Sequence, residues 1–142
     1  MLNWEIMSTI LLVGQHEALL EGLVQSLVAS RFRPVVAFSL MEARELAAHD
    51  PPLMAVVDRA FAAAAGHELL TLPLAPRTAL VLYTMQGGAA IAISAAVQRA
   101  VLAELTLPLE RNRLIALAHS LQERARSRGR IVEDEPPASH AP

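Results

Sequence analysis

Three polar side chains follow apolar runs that have the length of buried strands. Asp58 comes directly after the run 53–57, Thr84 after the run 79–83, and Thr106 after the run 101–105, which is apolar except for Glu104. In an open parallel sheet, functional sites form just beyond the carboxyl ends of the strands. Three such strand ends can converge on one pocket, and their side chains decide whether that pocket does chemistry.

The elements that would position these side chains alternate regularly along the chain. Short apolar runs predict strands, and apolar residues at three- and four-residue spacing predict amphipathic helices. The predicted strands are 8–13, 34–38, 53–58, 79–84 and 101–105, and the predicted helices are 17–30, 40–49, 66–72, 88–100 and 110–130. The segment 59–65 is poorly patterned and is predicted to be a loop. Helical connections between short apolar strands imply a doubly wound α/β fold, with a five-stranded parallel sheet covered on both faces.

Composition indicates a single domain with an aliphatic core. The 142 residues are 54% hydrophobic but only 4% aromatic, and the formal net charge is -2. Such a charge gives no general attraction to nucleic acid or to an anionic membrane. The chain has no cysteine, which excludes disulfides and thiolate chemistry and fits a cytoplasmic location. We divide the chain into an N-terminal extension (1–7), a domain (8–127) and a Pro-rich, acidic tail (128–142) that we predict to be disordered.

Several functional classes lack the motifs that they need. Gln86-Gly87-Gly88 interrupts the uncharged stretch 78–98, so we predict no membrane-spanning segment. No glycine-rich dinucleotide motif and no Walker motif follows any predicted strand. The histidines have no metal-ligand spacing, and no serine has the setting of a hydrolase nucleophile. We therefore predict neither a metal site nor an enzyme.

Over residues 9–121 the chain resembles the receiver domain of bacterial response regulators. The resemblance is carried by Val13-Gly14-Gln15-His16, Asp58, Gly66 with Glu68-Leu69-Leu70, Thr84, and Thr106-Leu107-Pro108, in that order. It implies the flavodoxin-like (βα)5 architecture of the family and a place in two-component signalling or a phosphorelay. It also implies that Asp58 stands at the phosphoacceptor position and Thr84 at the position of the switch hydroxyl.

The departures from the family pattern fall on the pocket itself. The resemblance places Gly14 and Gln15 where the family has two acidic residues that hold a divalent cation, with His16 next. Magnesium prefers carboxylate oxygens in near-octahedral geometry, which neither residue supplies. Leu107, before Pro108, stands at the position of the family's lysine, and an apolar residue cannot neutralise phosphoryl charge. Glu104 replaces the family's switch aromatic. The pattern therefore predicts a degenerate pocket, that of a pseudo-receiver without a cofactor.

Two residues of this pocket have alternative interpretations. Asp58 could accept phosphate, or it could be an ordinary loop carboxylate that accepts bonds from backbone N–H groups and neighbouring side chains. His16 could pair with Asp58 as a pH-dependent positive group, or it could be a solvated side chain.

The predicted fourth helix is the candidate for an interaction surface, because residues 88–98 carry no charge. By the resemblance, the fourth helix, fifth strand and fifth helix form a face for a protein partner or a homodimer. The candidate contact residues are Ile91, Ala92, Ala95, Ala96 and Gln98. The alternative is a tightly packed Ala-rich helix that exposes little area. The basic cluster 124–130 is interpreted as a charged helix end, so nucleic acid is not an expected partner.

These observations favour a non-catalytic signalling or interaction module that acts by protein–protein binding or dimerisation. One alternative is a functional receiver that accepts phosphate at Asp58 in an atypical pocket, with Mg²⁺ held by a rebuilt site. Another is a transcription-linked or RNA-binding regulatory module that uses the last helix.

Overall fold

The computed structural model describes residues 7–74, 78–88 and 91–134, with side chains described as far as residue 128. Five strands alternate with five α-helices along the chain. The strands are β1 (Thr9–Val13), β2 (Arg33–Ala37), β3 (Met54–Asp58), β4 (Ala79–Met85) and β5 (Val101–Leu107). The helices are α1 (Glu17–Ala29), α2 (Leu40–His49), α3 (Arg59–Ala65), α4 (Ala95–Ala100) and α5 (Arg111–Asp134), and a 3₁₀ helix covers Gly66–Thr71.

All five strands join one parallel sheet in the order β2-β1-β3-β4-β5. This confirms the predicted doubly wound α/β fold. The central strands β1 and β3 are buried along their whole length, as their continuous apolar sequences require. The edge strand β5 instead alternates between exposed and covered residues. The strand order reverses direction between β1 and β3, which places a crevice at their carboxyl ends.

Two apolar layers cover the two faces of the sheet. One layer joins Ile10 and Tyr83 of the sheet to apolar residues of α1 and α5. The other joins Leu11 and Leu82 to α2, α3, α4 and the 3₁₀ helix. Alternate residues of each strand point to opposite faces, so each strand contributes to both layers.

Two predictions about the helices that follow β3 and β4 are wrong. Residues 59–65 form helix α3 rather than a loop, because Asp58 caps the helix by accepting a bond from the Ala60 N–H and the following alanines favour helix. Helix α4 begins only at Ala95, where the Ser94 hydroxyl caps the Val97 N–H, and residues 91–94 are not helical. Residues 89 and 90 of the predicted helix lie outside the described residues.

The ends of the domain also differ from the sequence expectations. Strand β5 continues to Leu107, two residues beyond its predicted end. Helix α5 continues to Asp134, four residues beyond its predicted end at residue 130 and into the segment predicted to be a disordered tail. The rest of the predicted tail (135–142) and residues 1–6 of the predicted extension lie outside the described residues. Among the described helices, none combines the length and the apolar character needed to cross a membrane.

Candidate functional site

Strand register brings three residues side by side at the carboxyl end of the sheet. Val13 of β1 is level with Val57 of β3, and Asp58 of β3 is level with Tyr83 of β4. Gly14, which follows Val13, therefore lies next to Asp58, with Tyr83 on the other side of Asp58. All three belong to the face that α1 and α5 cover, because alternate strand residues share a face.

Tyr83 fills the space where a side chain at position 14 would lie. The Tyr83 side chain is 0% exposed, and its hydroxyl has no hydrogen-bond partner among the described residues. A Cβ added to Gly14 would lie 2.2 Å from the Tyr83 hydroxyl oxygen and 3.3 Å from the Asp58 Cβ. Burial, and then the negative charge of Asp58, raise the pKa of Tyr83 well above its usual value. Glycine fits at position 14 because it has no Cβ, whereas a Cβ there would collide with the buried neutral phenol of Tyr83.

Asp58 is held by two neighbours and is only 8% exposed. Its Oδ1 accepts a bond from the Ala60 N–H at 3.0 Å, and its Oδ2 lies 3.3 Å from His16 Nε2. The His16 side chain is 45% exposed, so its imidazole lies between the carboxylate and solvent. The structure thus combines two of the sequence interpretations, since Asp58 accepts a bond from a backbone N–H group and also pairs with His16.

Comparisons with known proteins identify this architecture. No family model matches the sequence, and no curated protein matches it. Solved structures do match. A response regulator receiver domain protein from Clostridium thermocellum has a TM-score of 0.65 at 15% identity, over 84% of this chain and 98% of that one.

Two further structures give the same result. A response regulator receiver modulated diguanylate cyclase from Pelobacter carbinolicus has a TM-score of 0.60 at 18% identity, over 87% of this chain and 98% of that one. A response regulator from Burkholderia pseudomallei, which carries a phosphorylated aspartic acid, a calcium ion and citrate, has a TM-score of 0.62 at 20% identity, over 83% of this chain and 72% of that one. This chain has the receiver-domain fold.

The receiver fold implies a divalent cation beside the phosphoacceptor aspartate, so the fit of the local residues to such a cation can be tested. Gly14 has no side chain, and Gln15 is exposed and offers a single neutral oxygen. Within residues 7–74, 78–88 and 91–134, no group of three His, Cys, Asp or Glu side chains could hold a metal ion. Mg²⁺ prefers several hard oxygen ligands, carboxylates above all. These residues do not fit that ion.

Position 107 offers no charged side chain to a phosphoryl group. Leu107 is the last residue of β5, it is 0% exposed, and it packs in the layer beneath α1 and α5. The Leu107–Pro108 peptide bond is cis, and Pro108 is exposed. The chain contains no lysine at all, so each of its 12 fixed cations is an arginine. A permanently charged clamp for phosphate would therefore have to be an arginine side chain.

The arginine nearest to Asp58 along the chain is engaged elsewhere. Arg59 Nη1 lies 2.6 Å from Glu104 Oε1, and Arg59 Nε donates to the Ile91 carbonyl oxygen at 2.6 Å. Gln98 Nε2 completes the group by donating to Glu104 Oε2 at 3.4 Å. We call these four residues the Arg59 cluster. It ties the start of α3 to β5, to α4 and to the segment before α4.

Sequence reasoning singled out Glu104, Ile91 and Gln98 but missed Arg59. The available signal was a pair of opposite charges, with Arg59 directly after β3 and Glu104 within β5. Thr84, the expected switch hydroxyl, is half-buried, and no hydrogen bond of its hydroxyl is found among the described residues. The structure therefore brings Asp58 and His16 together and joins Glu104 to Arg59.

The expected contact residues do not form one helical stripe. Ile91 and Ala92 precede α4 and are exposed. Ala95 and Gln98 are exposed on α4, whereas Ala96 is half-buried. Gln98 is engaged by Glu104. The exposed part of this surface is thus made of a non-helical segment and one short helix.

Proposed function

We propose that this chain is a non-catalytic signalling module of the receiver fold, which acts by binding another protein rather than by cycling with phosphate. On this proposal the chain needs no cofactor and is a pseudo-receiver. We also place it in the cytoplasm, which its lack of cysteine suits.

The contact between Gly14 and Tyr83 carries the proposal. A cation site beside Asp58 needs a carboxylate on the neighbouring strand end, and that side chain would start 2.2 Å from the Tyr83 hydroxyl. Tyr83 is fully buried and packs with residues of the sheet, α1 and α5, so its ring would have to shift within that layer to admit the new side chain. A carboxylate at position 14 would therefore enter this volume only if Tyr83 moved. The cation site is opposed by packing as well as by residue type.

The electrostatics support the same proposal. A phosphoryl group on Asp58 would add negative charge at a buried carboxylate, and transfer needs positive charge preorganised around it. His16 is the nearest basic side chain, and it carries charge only when protonated. Arg59 is bound to Glu104, and moving it to Asp58 would break two 2.6 Å contacts. Among the described residues, no permanently charged side chain other than Arg59 adjoins Asp58 in sequence or pairs with it.

Treatment with acetyl phosphate and MgCl₂, followed by intact-mass measurement, tests the proposal. We expect no mass increase on the wild-type chain under conditions in which a response-regulator receiver with both acidic residues is modified. The matched control is Asp58→Asn, which removes the candidate acceptor but keeps an oxygen that can cap α3. A phosphoryl mass on wild-type protein that is absent from the Asp58→Asn variant would establish a phospho-accepting receiver instead.

Calorimetric titration with MgCl₂ provides a second, independent measurement. We expect no binding heat at millimolar Mg²⁺, because the local ligands are an amide and one paired carboxylate. Saturable heat that disappears in the Asp58→Asn variant would mean that the pocket does bind a cation. That result would remove the main physical ground for the proposal even before any phosphorylation was found.

For the mode of action, we propose that the surface formed by α4, β5 and α5 contacts the partner. Support comes from its exposed apolar residues and from β5, which is the edge strand of the sheet. Native mass spectrometry of the purified chain separates the two versions of this proposal. A dimer would favour self-association through this surface, and a monomer would favour a different protein.

A further inference from the structure

A groove lies at the amino ends of β4 and β5, at the opposite end of the sheet from Asp58. It has a volume of about 490 Å³ and is formed by the starts of β4 and β5, the end of α4 and the second half of α5. Three arginines, Arg99, Arg124 and Arg128, line it together with the apolar side chains of Leu80, Leu102 and Leu121. We call it the arginine groove.

The arginines of this groove have no acidic partner in the part of the chain that the structure describes. The ion pairs there involve Arg33, Arg59, Arg113 and His16, and none of them includes a groove arginine. Arg124 and Arg128 are four residues apart, so they lie on the same side of α5. Arg99 approaches from the end of α4. Three positive charges thus line one concave surface in a chain whose net charge is -2.

The floor of the arginine groove is apolar and partly open. Leu102 is 53% exposed although it lies on a strand of the main sheet. It belongs to the edge strand β5, whose outer backbone N–H and C=O groups have no neighbouring strand in the sheet. Covering Leu102 with an apolar side chain would remove apolar area from water, which favours binding.

We propose that the arginine groove binds an acidic segment of a partner protein, with an apolar side chain against Leu102 and carboxylates held by the three arginines. The proposal rests on the proposed function, since it names the chemistry of the protein that the module binds. Arginine suits this role because its planar fork donates two parallel bonds to a carboxylate. Binding would exchange solvated arginines for charge-assisted hydrogen bonds beside an apolar contact.

Two other occupants fit the groove less well. A second copy docked about a two-fold axis would bring two identical sets of three arginines together, which like-charge repulsion opposes. Single-stranded nucleic acid binds through aromatic side chains on which bases stack, and none of the described residues that line this groove is aromatic. The combination of arginines and leucines matches an acidic peptide that carries an apolar anchor.

Selection from a displayed random-peptide library, followed by fluorescence anisotropy with the selected peptides, tests the inference. We expect enriched peptides to carry several Glu or Asp residues around a Leu, Ile or Phe. Binding should weaken about tenfold in Arg124→Gln and in Arg128→Gln, because each removes a charge-assisted bond. Leu102→Ala should weaken it to a similar degree. Synthetic peptides with Gln in place of every acidic residue should not bind.

Matched variants on the same elements control for general charge and folding. Arg126 is exposed on α5 between the two groove arginines but does not line the groove, so Arg126→Gln should leave affinity unchanged. Leu109→Ala removes a leucine that is also exposed but lies outside the groove, and should have no effect. Thermal melts of all variants should coincide, since these side chains are exposed.

The following outcomes would overturn the inference. Enrichment of peptides without acidic residues, an equal loss of binding in Arg126→Gln, or no enrichment at all would each do so. Tighter binding of a labelled single-stranded RNA, lost in the same groove variants, would assign the groove to nucleic acid. Phosphorylation of Asp58 would overturn the proposed function at the other end of the sheet without altering the peptide result, so the two failures can be told apart.

Discussion

The charged side chains at the two ends of the sheet differ in whether they have partners within the chain. At the carboxyl end, charged groups meet partners within the chain: Arg59 binds Glu104, and Asp58 lies beside His16. At the amino end, the groove arginines point into a cavity and meet no acidic side chain among the described residues. At the carboxyl end, where receiver folds do their chemistry, these charged side chains are paired within the chain. At the amino end, the groove arginines have no ion-pair partner among the described residues.

This difference indicates which end of the sheet can bind a partner. A charge that is already paired gives up its pairing when a ligand arrives, so little net free energy remains for binding. An unpaired, hydrated arginine beside apolar surface loses only water and gains a partner. The comparison therefore supports our two proposals, that the arginine groove binds a partner and that the pocket around Asp58 is mainly structural.

The largest expected effect concerns the packing at the carboxyl end. Gly14→Ala should lower the free energy of unfolding by about 2–3 kcal/mol, because the new Cβ would collide with the buried Tyr83 hydroxyl. Gly22→Ala is the control: its Cβ would meet nothing within 4 Å on helix α1, so stability should rise by about 0.5–1 kcal/mol. Urea denaturation measures both variants.

A second substitution sharpens this result. In the double variant Gly14→Ala/Tyr83→Phe the hydroxyl is gone, and the nearest ring carbon would lie 3.4 Å from the new Cβ. Most of the lost stability should return. Equal instability with and without the hydroxyl would mean that Tyr83 does not determine which residue fits at position 14.

The next largest effect is a pH dependence of the free energy of unfolding, which the Tyr83 phenol causes. Burial raises the pKa of Tyr83, so above pH about 10 the unfolded chain loses a proton that the folded chain keeps. Stability should be unaffected by this group below pH 10 and should fall by about 1.4 kcal/mol for each pH unit above it. Tyr83 is the chain's one tyrosine, and the sequence has no lysine and no cysteine.

Denaturation curves between pH 9 and 11.5 measure this slope, and Tyr83→Phe is the matched variant. The variant should show no fall in stability over the same range. Phenolate absorbance that develops in folded wild-type protein near pH 10 would contradict the prediction, because it would mean that Tyr83 ionises without unfolding.

A pair of arginine substitutions compares the two ends directly. Arg59→Gln should lower the free energy of unfolding by about 1–2 kcal/mol, since it removes the bonds to Glu104 and to the Ile91 carbonyl. Arg124→Gln should change it by less than about 0.5 kcal/mol, because that side chain has no described ion-pair partner. Equal losses of stability in the two variants, measured by urea denaturation, would contradict the proposed difference between the two ends.

The smallest effect on stability is expected from replacing the Asp58 carboxylate. Asp58→Asn should change stability by less than about 0.5 kcal/mol, because Asn also caps a helix well and the pairing with His16 is half-exposed. Affinity for peptides selected on the arginine groove should be unchanged. Anisotropy titrations check this, and a loss of peptide affinity would mean that the two ends are coupled.

The sequence by itself determined the sheet, the helix-covered faces and the position of Asp58 at a strand end. Apolar runs and helical periodicity are local signals, so windows of a few residues are enough to detect them. The same local reasoning failed at α3, where an alanine run without apolar periodicity was interpreted as a loop although the Asp58 cap starts a helix there.

Only the tertiary structure decided what surrounds Asp58. Gly14 and Tyr83 are far apart in the chain, and their contact depends on the register of three strands and on the length of a tyrosine side chain. Arg59 meets Glu104, and the groove arginines converge, because helices and strands distant in sequence pack at fixed angles and offsets. A sequence pattern records which groups are present, whereas packing determines which of them meet.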